Sequence, residues 1–167
     1  MSTPRLIIVD DDPLVALIIV EIARHAFPDE GDLETECVLT PDAAMLAIRR
    51  ASGRPGTRVV VMSDLNLPPS HLTGLDILAD AKARLPDARR VLMTGVDPLD
   101  LGETLLQARL DAFVPKPFGF DEMRALLVWL VEDPRSSRGA ATALRIPVAT
   151  SVPQGGSIVL LREAERA

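Results

Sequence analysis

The feature that most constrains the fold is a series of short apolar runs, each of which ends in polar residues. Residues 6–9, 59–62 and 91–93 are continuous apolar stretches, and residues 37–39 and 112–114 are weaker runs of the same kind. Runs without polar alternation are typical of strands in a parallel sheet that is covered on both faces. The sequence therefore predicts an α/β domain with five parallel strands.

The segments between these runs carry helix signals. Asp12 and Pro13 supply an N-cap and a first-turn proline for a helix that reaches about residue 26. Residues 41–50, 74–85, 100–109 and 121–132 are predicted to form four more helices. Strands that alternate with helices in this way imply right-handed crossovers, so we expect a doubly wound sheet with helices on both faces.

The region after Pro134 differs in composition from the rest of the chain. We assign residues 1–133 to the α/β domain and residues 134–167 to a C-terminal extension. The extension is predicted to contain a linker followed by a hairpin, or by a strand and a short helix from Ser157. Such a segment can also act as a dimerisation arm.

Charge and apolar content limit the classes of function. The net charge of −6 argues against direct nucleic-acid binding, which needs a basic surface. The longest apolar run, residues 14–20, is shorter than the ~20 residues of a membrane span. Cys37 is the single cysteine, which excludes an internal disulfide and fits a reducing compartment. We expect a soluble cytoplasmic protein, with Cys37 buried as a small apolar residue.

Polar side chains gather at the strand ends, the part of a parallel sheet at which ligands bind. In chain order they are Asp10, Asp11, Asp12, Asp64, Thr94 and Lys116. Carboxylates at one edge repel each other unless a cation such as Mg²⁺ lies among them. A carboxylate left free can attack phosphorus and form an acyl phosphate. Lys116 would then stabilise charge on the transferring oxygens, and Thr94 would bind the product phosphate.

These residues, in this order, resemble the receiver domain of two-component response regulators over about residues 4–132. The matching segments are Ile8-Val9-Asp10-Asp11, Ser63-Asp64-Leu65-Asn66, Met93-Thr94-Gly95 and Phe113-Val114-Pro115-Lys116-Pro117. The resemblance implies a flavodoxin-like strand order, 2-1-3-4-5. It also implies a stand-alone phosphorylation-dependent signalling switch in a phosphorelay, and not a turnover enzyme.

The resemblance further implies a role for each site residue. Asp64 accepts the phosphoryl group, Lys116 is its partner, Thr94 is the switch hydroxyl, and Phe113 is the aromatic that moves with Thr94. The implied Mg²⁺ ligands are Asp10, Asp11, Asp64 and the backbone carbonyl of Asn66. The bond between Lys116 and Pro117 is expected to be cis. The implied partners are a histidine kinase or phosphotransfer protein and a downstream protein, with output by protein contact or by a change in dimerisation.

The chain departs from the family pattern in the acceptor loop and in the first helix. The acceptor loop is lengthened by about two residues before Gly74, which is expected to reshape the mouth of the site. The first helix is apolar on more than one side. If the buried side consists of Leu14, Val15, Ile18, Ile19 and Ile22, an apolar outer stripe is formed by Ala16, Leu17 and Val20. A kinase, the chain's own tail or a second copy would cover that stripe.

Two other functions use the same residue types. A phosphatase of the haloacid-dehalogenase type also combines a strand-end aspartate, Mg²⁺, a threonine and a lysine. Its nucleophile and general acid are two residues apart, as Asp10 and Asp12 are. The other alternative is a receiver-like interaction module that never carries phosphate.

Overall fold

The computed structural model describes residues 2–29, 31–97, 100–101, 104, 107–132 and 158–160. In chain order, the elements with defined bounds are β1 (Arg5–Val9), α1 (Pro13–Ala26), β2 (Glu34–Val38), α2 (Pro41–Ser52), β3 (Val59–Asp64), α3 (Gly74–Arg84), β4 (Arg89–Thr94), β5 (Ala112–Pro115), α4 (Phe120–Val131) and β6 (Val159–Leu160). Asp100, Leu101, Thr104 and Gln107 are also helical, in agreement with the helix predicted over residues 100–109.

The sheet has the predicted parallel order and one additional strand. β2, β1, β3, β4 and β5 lie side by side and run parallel. β6 pairs antiparallel with the outer edge of β5, with Val159 opposite Phe113 and Leu160 opposite Ala112. Within the extension, residues 159–160 are a strand, and the remaining residues of the predicted hairpin or strand and helix lie outside the described residues. The predicted linker lies outside the described residues.

The core is divided between the two faces of the sheet. All five residues of β1 are buried, and their side chains alternate between the faces. Leu6 and Ile8 pack in the cluster that contains α1 and α4, whereas Ile7 and Val9 pack in the cluster that contains α2 and α3. Burial on both faces is the physical reason why these strands read as unbroken apolar runs.

The buried side of α1 differs from the prediction. Ala16, Ile19, Ile22 and Ala23 are buried, and the small alanines leave room for the helix to lie close to its neighbours. Leu14, Leu17 and Ile18 are 66%, 61% and 52% exposed. The expectation that Leu14 and Ile18 belong to the buried side was therefore wrong. The assignment of Ala16 to the apolar outer stripe was also wrong, because Ala16 is 1% exposed.

The prediction for Cys37 was also wrong. Cys37 is exposed, because β2 is an edge strand of the sheet and four of its five residues remain at least partly accessible. None of the helices in the described ranges is long and apolar enough to cross a membrane.

Candidate functional site

The carboxyl ends of four neighbouring strands bring the predicted polar residues to one edge of the sheet. Asp10 directly follows β1, Asp64 ends β3, Thr94 ends β4, and Lys116 directly follows β5. The register aligns these ends, since Val9 lies opposite Ser63 and Thr94 lies opposite Pro115. Parallel pairing thus collects residues that are up to 106 positions apart in the sequence.

Lys116 bridges two carboxylates at this edge. Its Nζ lies 2.6 Å from Asp10 Oδ2 and 2.7 Å from Asp64 Oδ1. Asp10 is fully buried and Asp64 is 7% exposed, so both contacts lie where water screens charge poorly. The peptide bond between Lys116 and Pro117 is cis, as the sequence resemblance predicted.

Burial and neighbouring charges raise the pKa values of both Asp10 and Lys116. The pKa of Asp10 is raised, because burial disfavours the ionised form by more than Lys116 and the Asp12 amide favour it. Burial by itself would lower the pKa of Lys116. The hydrogen bonds to Asp10 and Asp64, with the attraction of both charges, outweigh that effect and raise it. The lysine is therefore held as an ammonium ion between the two carboxyl groups.

Backbone hydrogen bonds fix the position of the Asp64 carboxylate. The N–H of Asn66 donates to Asp64 Oδ2 at 2.9 Å, while Oδ1 faces Lys116. The next residue, Leu65, donates to the carbonyl of Met93 on β4 at 2.9 Å and accepts from the N–H of Gly74 at 2.8 Å. The two oxygens of Asp64 therefore have different partners, and the carboxylate has one defined orientation.

Gly74 helps to fix the backbone of Asp64, a role that the sequence did not predict. A Cβ atom at position 74 would lie 1.9 Å from the carbonyl oxygen of Asp64 and 2.9 Å from Ser63 Oγ. The first residue of α3 therefore packs directly on the backbone of the candidate phosphoacceptor, and only a glycine fits. The sequence signal was present, because the lengthened loop still ends in a glycine.

The three consecutive aspartates have three different environments. Asp10 is buried and its Oδ1 accepts from the N–H of Asp12 at 3.0 Å. Asp12 is exposed and its side chain accepts from the N–H of Leu14 at 2.9 Å, which confirms its predicted role as the N-cap of α1. Asp11 is exposed at the start of the loop. The structure thus separates the cap from the two candidate metal ligands.

Thr94 and Phe113 lie on adjacent strands, Thr94 at the carboxyl end of β4 and Phe113 within β5. Thr94 is 1% exposed, and its Oγ1 accepts from the N–H of Val96 at 3.0 Å. Its carbonyl oxygen accepts from the N–H of Lys116 at 2.8 Å, which ties the ends of β4 and β5 together. Phe113 is fully buried in the cluster on the α2 and α3 side of the sheet, opposite Leu92 of β4.

The chemistry of the donor groups fits a hard divalent cation. Asp10, Asp11 and Asp64 offer carboxylate oxygens from two adjacent strand ends, and Mg²⁺ is usually held by one or two carboxylates with carbonyls and waters. Within the described residues, no three acidic, histidine or cysteine side chains are already gathered in a metal-binding arrangement. Lys116 is instead the counter-charge that joins Asp10 to Asp64.

Comparison with solved structures identifies proteins of the same fold. The signal receiver domain of a putative LuxO repressor protein from Vibrio parahaemolyticus is 22% identical with a TM-score of 0.61, over 77% of this chain and 90% of that one. A CheY-like response regulator receiver domain protein from Methanospirillum hungatei JF-1 is 21% identical with a TM-score of 0.63, over 78% and 94% of the two chains. The BeF₃-activated DrrB receiver domain is 20% identical with a TM-score of 0.61, over 78% and 99%.

A search of curated proteins finds no match to this chain. The family model for the response regulator receiver domain matches residues 6–128, a segment that contains every strand end described above. With the strand order and the grouping of Asp10, Asp64 and Lys116 already seen in the structure, this match shows that the chain belongs to the response regulator receiver domain family.

Proposed function

We propose that this receiver domain is a phosphorylation-dependent switch in which Asp64 accepts a phosphoryl group from a histidine kinase or a phosphotransfer protein. The observation that carries the proposal is the contact of one ammonium group with two carboxylates at the end of the sheet, 2.6 Å from Asp10 and 2.7 Å from Asp64. An aspartate held beside a partly buried cation suits nucleophilic attack on phosphorus, because the cation stabilises the charge on the transferring oxygens.

In the proposed reaction an Asp64 carboxylate oxygen attacks the phosphorus atom of a phosphohistidine. The new P–O bond forms as the P–N bond breaks, and the imidazole leaves with the bonding electron pair. The Asn66 N–H and Lys116 hold the carboxylate in one orientation before the attack. Positioning of this kind is the main contribution that proteins make to phosphoryl transfer.

The proposed cofactor is Mg²⁺, held by the carboxylates of Asp10, Asp11 and Asp64 and by the backbone carbonyl of Asn66. When bound, Mg²⁺ neutralises the repulsion between these carboxylates and the incoming phosphate. The raised pKa of Asp10 supports this assignment, because a buried carboxyl group that is costly to ionise gains most from a nearby cation.

The proposed response begins at Thr94. Its hydroxyl oxygen accepts from the N–H of Val96, and the hydroxyl donates its own hydrogen to an oxygen of the phosphoryl group, so that the end of β4 moves with it. Phe113 packs on the neighbouring strand and adjusts to that movement. A local charge event then biases a surface toward a downstream partner or toward a dimer. We place the switch in the cytoplasm, where a single reduced cysteine is expected.

The experiment is incorporation of a phosphoryl group from a small acyl phosphate in the presence and absence of Mg²⁺, measured by intact-protein mass. We expect a Mg²⁺-dependent adduct on the wild type and its loss in Asp64→Asn. Asp12→Asn is a matched control, because asparagine is an equally good helix N-cap and the charge change is the same. This control should form the adduct as the wild type does.

The same set of variants separates the alternative functions. A haloacid-dehalogenase-type phosphatase would use Asp12 as its general acid, so Asp12→Asn would abolish turnover of a generic phosphomonoester. An interaction module would give no adduct with any variant. The proposal is wrong if the wild type forms no Mg²⁺-dependent adduct, or if Asp64→Asn forms one equally well.

A further inference from the structure

Arg90 is a buried charged residue to which the proposed reaction assigns no role. It is 5% exposed and lies in the same strand as Thr94, near the opposite end of β4. Side chains alternate along a strand, so Arg90, Leu92 and Thr94 share one face of the sheet. That face is covered by the core cluster that contains Leu92 and Phe113. The two ends of β4 therefore present a guanidinium and a hydroxyl group to the same side of the sheet.

Helical residues that lie between β4 and β5 in the chain are contacted from both ends of β4. They are Asp100, Leu101, Thr104 and Gln107, here called the β4–β5 helix, and Leu101 packs against the same core cluster. Before the helix, the N–H of Val96 donates to Thr94 Oγ1 at 3.0 Å. After it, the guanidinium of Arg90 donates to the carbonyl of Ala108 at 3.2 Å and to the carbonyl of Arg109. One strand thus contacts the chain at both ends of one helix.

The end of the helix at Arg90 is the more firmly held of the two. Hydrogen bonds from a charged donor are roughly twice as strong as those between neutral groups, and moving the two carbonyls away would take acceptors from a buried charge. The backbone N–H of Arg90 donates to Asp111 Oδ2 at 2.8 Å, and its carbonyl accepts from the N–H of Asp111 at 2.9 Å. Arg109 has a φ of 48°, and a non-glycine residue keeps that conformation only where its surroundings hold it.

The end of the helix at Thr94 is held by weaker contacts. The hydrogen bond from Val96 to Thr94 joins two neutral groups. Gly95 between them is exposed, and a Cβ atom there would meet no other atom within 4 Å. Val96 is therefore tied to Thr94 but has room to move with it.

We propose that Arg90 is a positioning residue of the switch, which fixes the C-terminal end of the β4–β5 helix so that a movement of Thr94 tilts the other end about the Arg90 contacts. This inference rests on the proposed phosphorylation of Asp64, which is the event that moves Thr94. It divides the helix into a responding end, at Val96 and Asp100, and a fixed end, at Ala108. A partner that recognises the phosphorylated state would bind at the responding end.

The test measures amide exchange of the full chain by NMR in Mg²⁺, with and without beryllofluoride as a phosphoryl mimic. Val96 and Asp100 report on the responding end, and Ala108 and Asp111 on the fixed end, since the N–H of each is hydrogen-bonded. In the wild type, we expect beryllofluoride to change the exchange rates at the responding end about two- to tenfold, the scale of one hydrogen bond. The rates at the fixed end should not change.

Three variants show whether Arg90 is the cause. In Arg90→Met, beryllofluoride should change the exchange rates at Ala108 and Asp111 as well, by about two- to tenfold. Arg90→Lys keeps the charge with fewer donors, so the change at the fixed end should be smaller; this variant also serves if Arg90→Met does not fold. Arg89→Met is the matched control, because it makes the same substitution at the adjacent residue, whose guanidinium pairs with the side chain of Asp111. This control should respond as the wild type does.

Each other result would overturn the inference. If Arg90→Met speeds exchange at the fixed end equally with and without beryllofluoride, Arg90 has a purely structural role. If both ends respond in the wild type, the helix moves as a whole. If the wild type responds at the N–H of Asn66 beside Asp64 but at neither end, the proposed function stands and the tilt does not occur. No response at Asn66 or at either end would refute the proposed function together with this inference. A response at the fixed end in Arg89→Met would exclude the Arg90 hydrogen bonds as its specific cause.

Discussion

The substitution Gly74→Ala tests whether the packing of α3 on the acceptor backbone matters. At an ordinary helix position this change would raise the free energy of unfolding by about 0.4–1 kcal/mol, because alanine loses less conformational entropy on folding. Here the new Cβ would lie 1.9 Å from the Asp64 carbonyl oxygen, whereas real Cβ contacts are almost never below 3.0 Å. The backbone of α3 or of Asp64 must therefore move by about 1 Å.

The size of the effect follows from that displacement. Overpacking typically costs 1–3 kcal/mol, and we take about 3 kcal/mol because the clash is with backbone and not with a flexible side chain. After the usual gain from alanine, the free energy of unfolding should fall by about 2 kcal/mol. The midpoint temperature should fall by roughly 4–8 °C. Phosphoryl transfer to Asp64 should slow by about 100-fold, since a 1 Å misplacement of a reacting group has that effect.

Urea unfolding followed by the fluorescence of Trp129, the one tryptophan in the chain, measures the stability. Mass spectrometry measures the rate of adduct formation. Gly53→Ala is the matched control, because a Cβ there meets its nearest atom, Arg50 O, at an ordinary 3.5 Å and the backbone is already helical. The reasoning fails if Gly74→Ala is as stable as Gly53→Ala and accepts the phosphoryl group at the wild-type rate.

Two further predictions concern the protonation of Asp10 and the hydrogen bonds of Arg90. The raised pKa of Asp10 means that the folded protein holds this proton more tightly than the unfolded chain, so the contribution of Asp10 to stability is present below pH 3.8 and is lost as the pH rises. Urea titrations from pH 3 to pH 7 should therefore show Asp10→Asn gaining stability relative to the wild type; a constant difference across that range would contradict the assignment. Arg90 is 5% exposed and its guanidinium donates to the carbonyls of Ala108 and Arg109, so Arg90→Met should lower the free energy of unfolding by about 1–3 kcal/mol. Arg84→Met, which breaks an exposed pair with Asp80, should cost less than about 0.5 kcal/mol, and equal losses for the two variants would refute the stabilising role of the Arg90 hydrogen bonds.

The sequence predicted the sheet well because its strands are buried on both faces. Val59–Asp64 and Arg89–Thr94 are buried or nearly so along their whole length, and that burial is what produces unbroken apolar runs. Once the strands are recognised, the polar residues after them must lie at one edge of the sheet. The proximity of Asp10, Asp64 and Lys116 is thus a consequence of parallel topology.

Predictions that depended on the neighbours of an element were less reliable. Helical periodicity shows that residues of α1 share a face, but it does not show which face meets the core when most of the helix is apolar. Leu14 and Ile18 were consequently assigned to the wrong side. Cys37 was predicted to be buried because its residue type is usually buried, yet its strand lies at an open edge.

The sequence by itself determined the alternation of strands and helices, the helix start at Asp12 and the set of polar residues at the strand ends, because these follow from local patterns. The strand order came from the family resemblance of those motifs. Only the tertiary structure decided which contacts those residues make. It places Lys116 between two carboxylates, presses Gly74 against the backbone of Asp64 and pairs β6 with the edge of β5. Each of these contacts joins two separate elements of the fold, and its geometry depends on how whole elements pack.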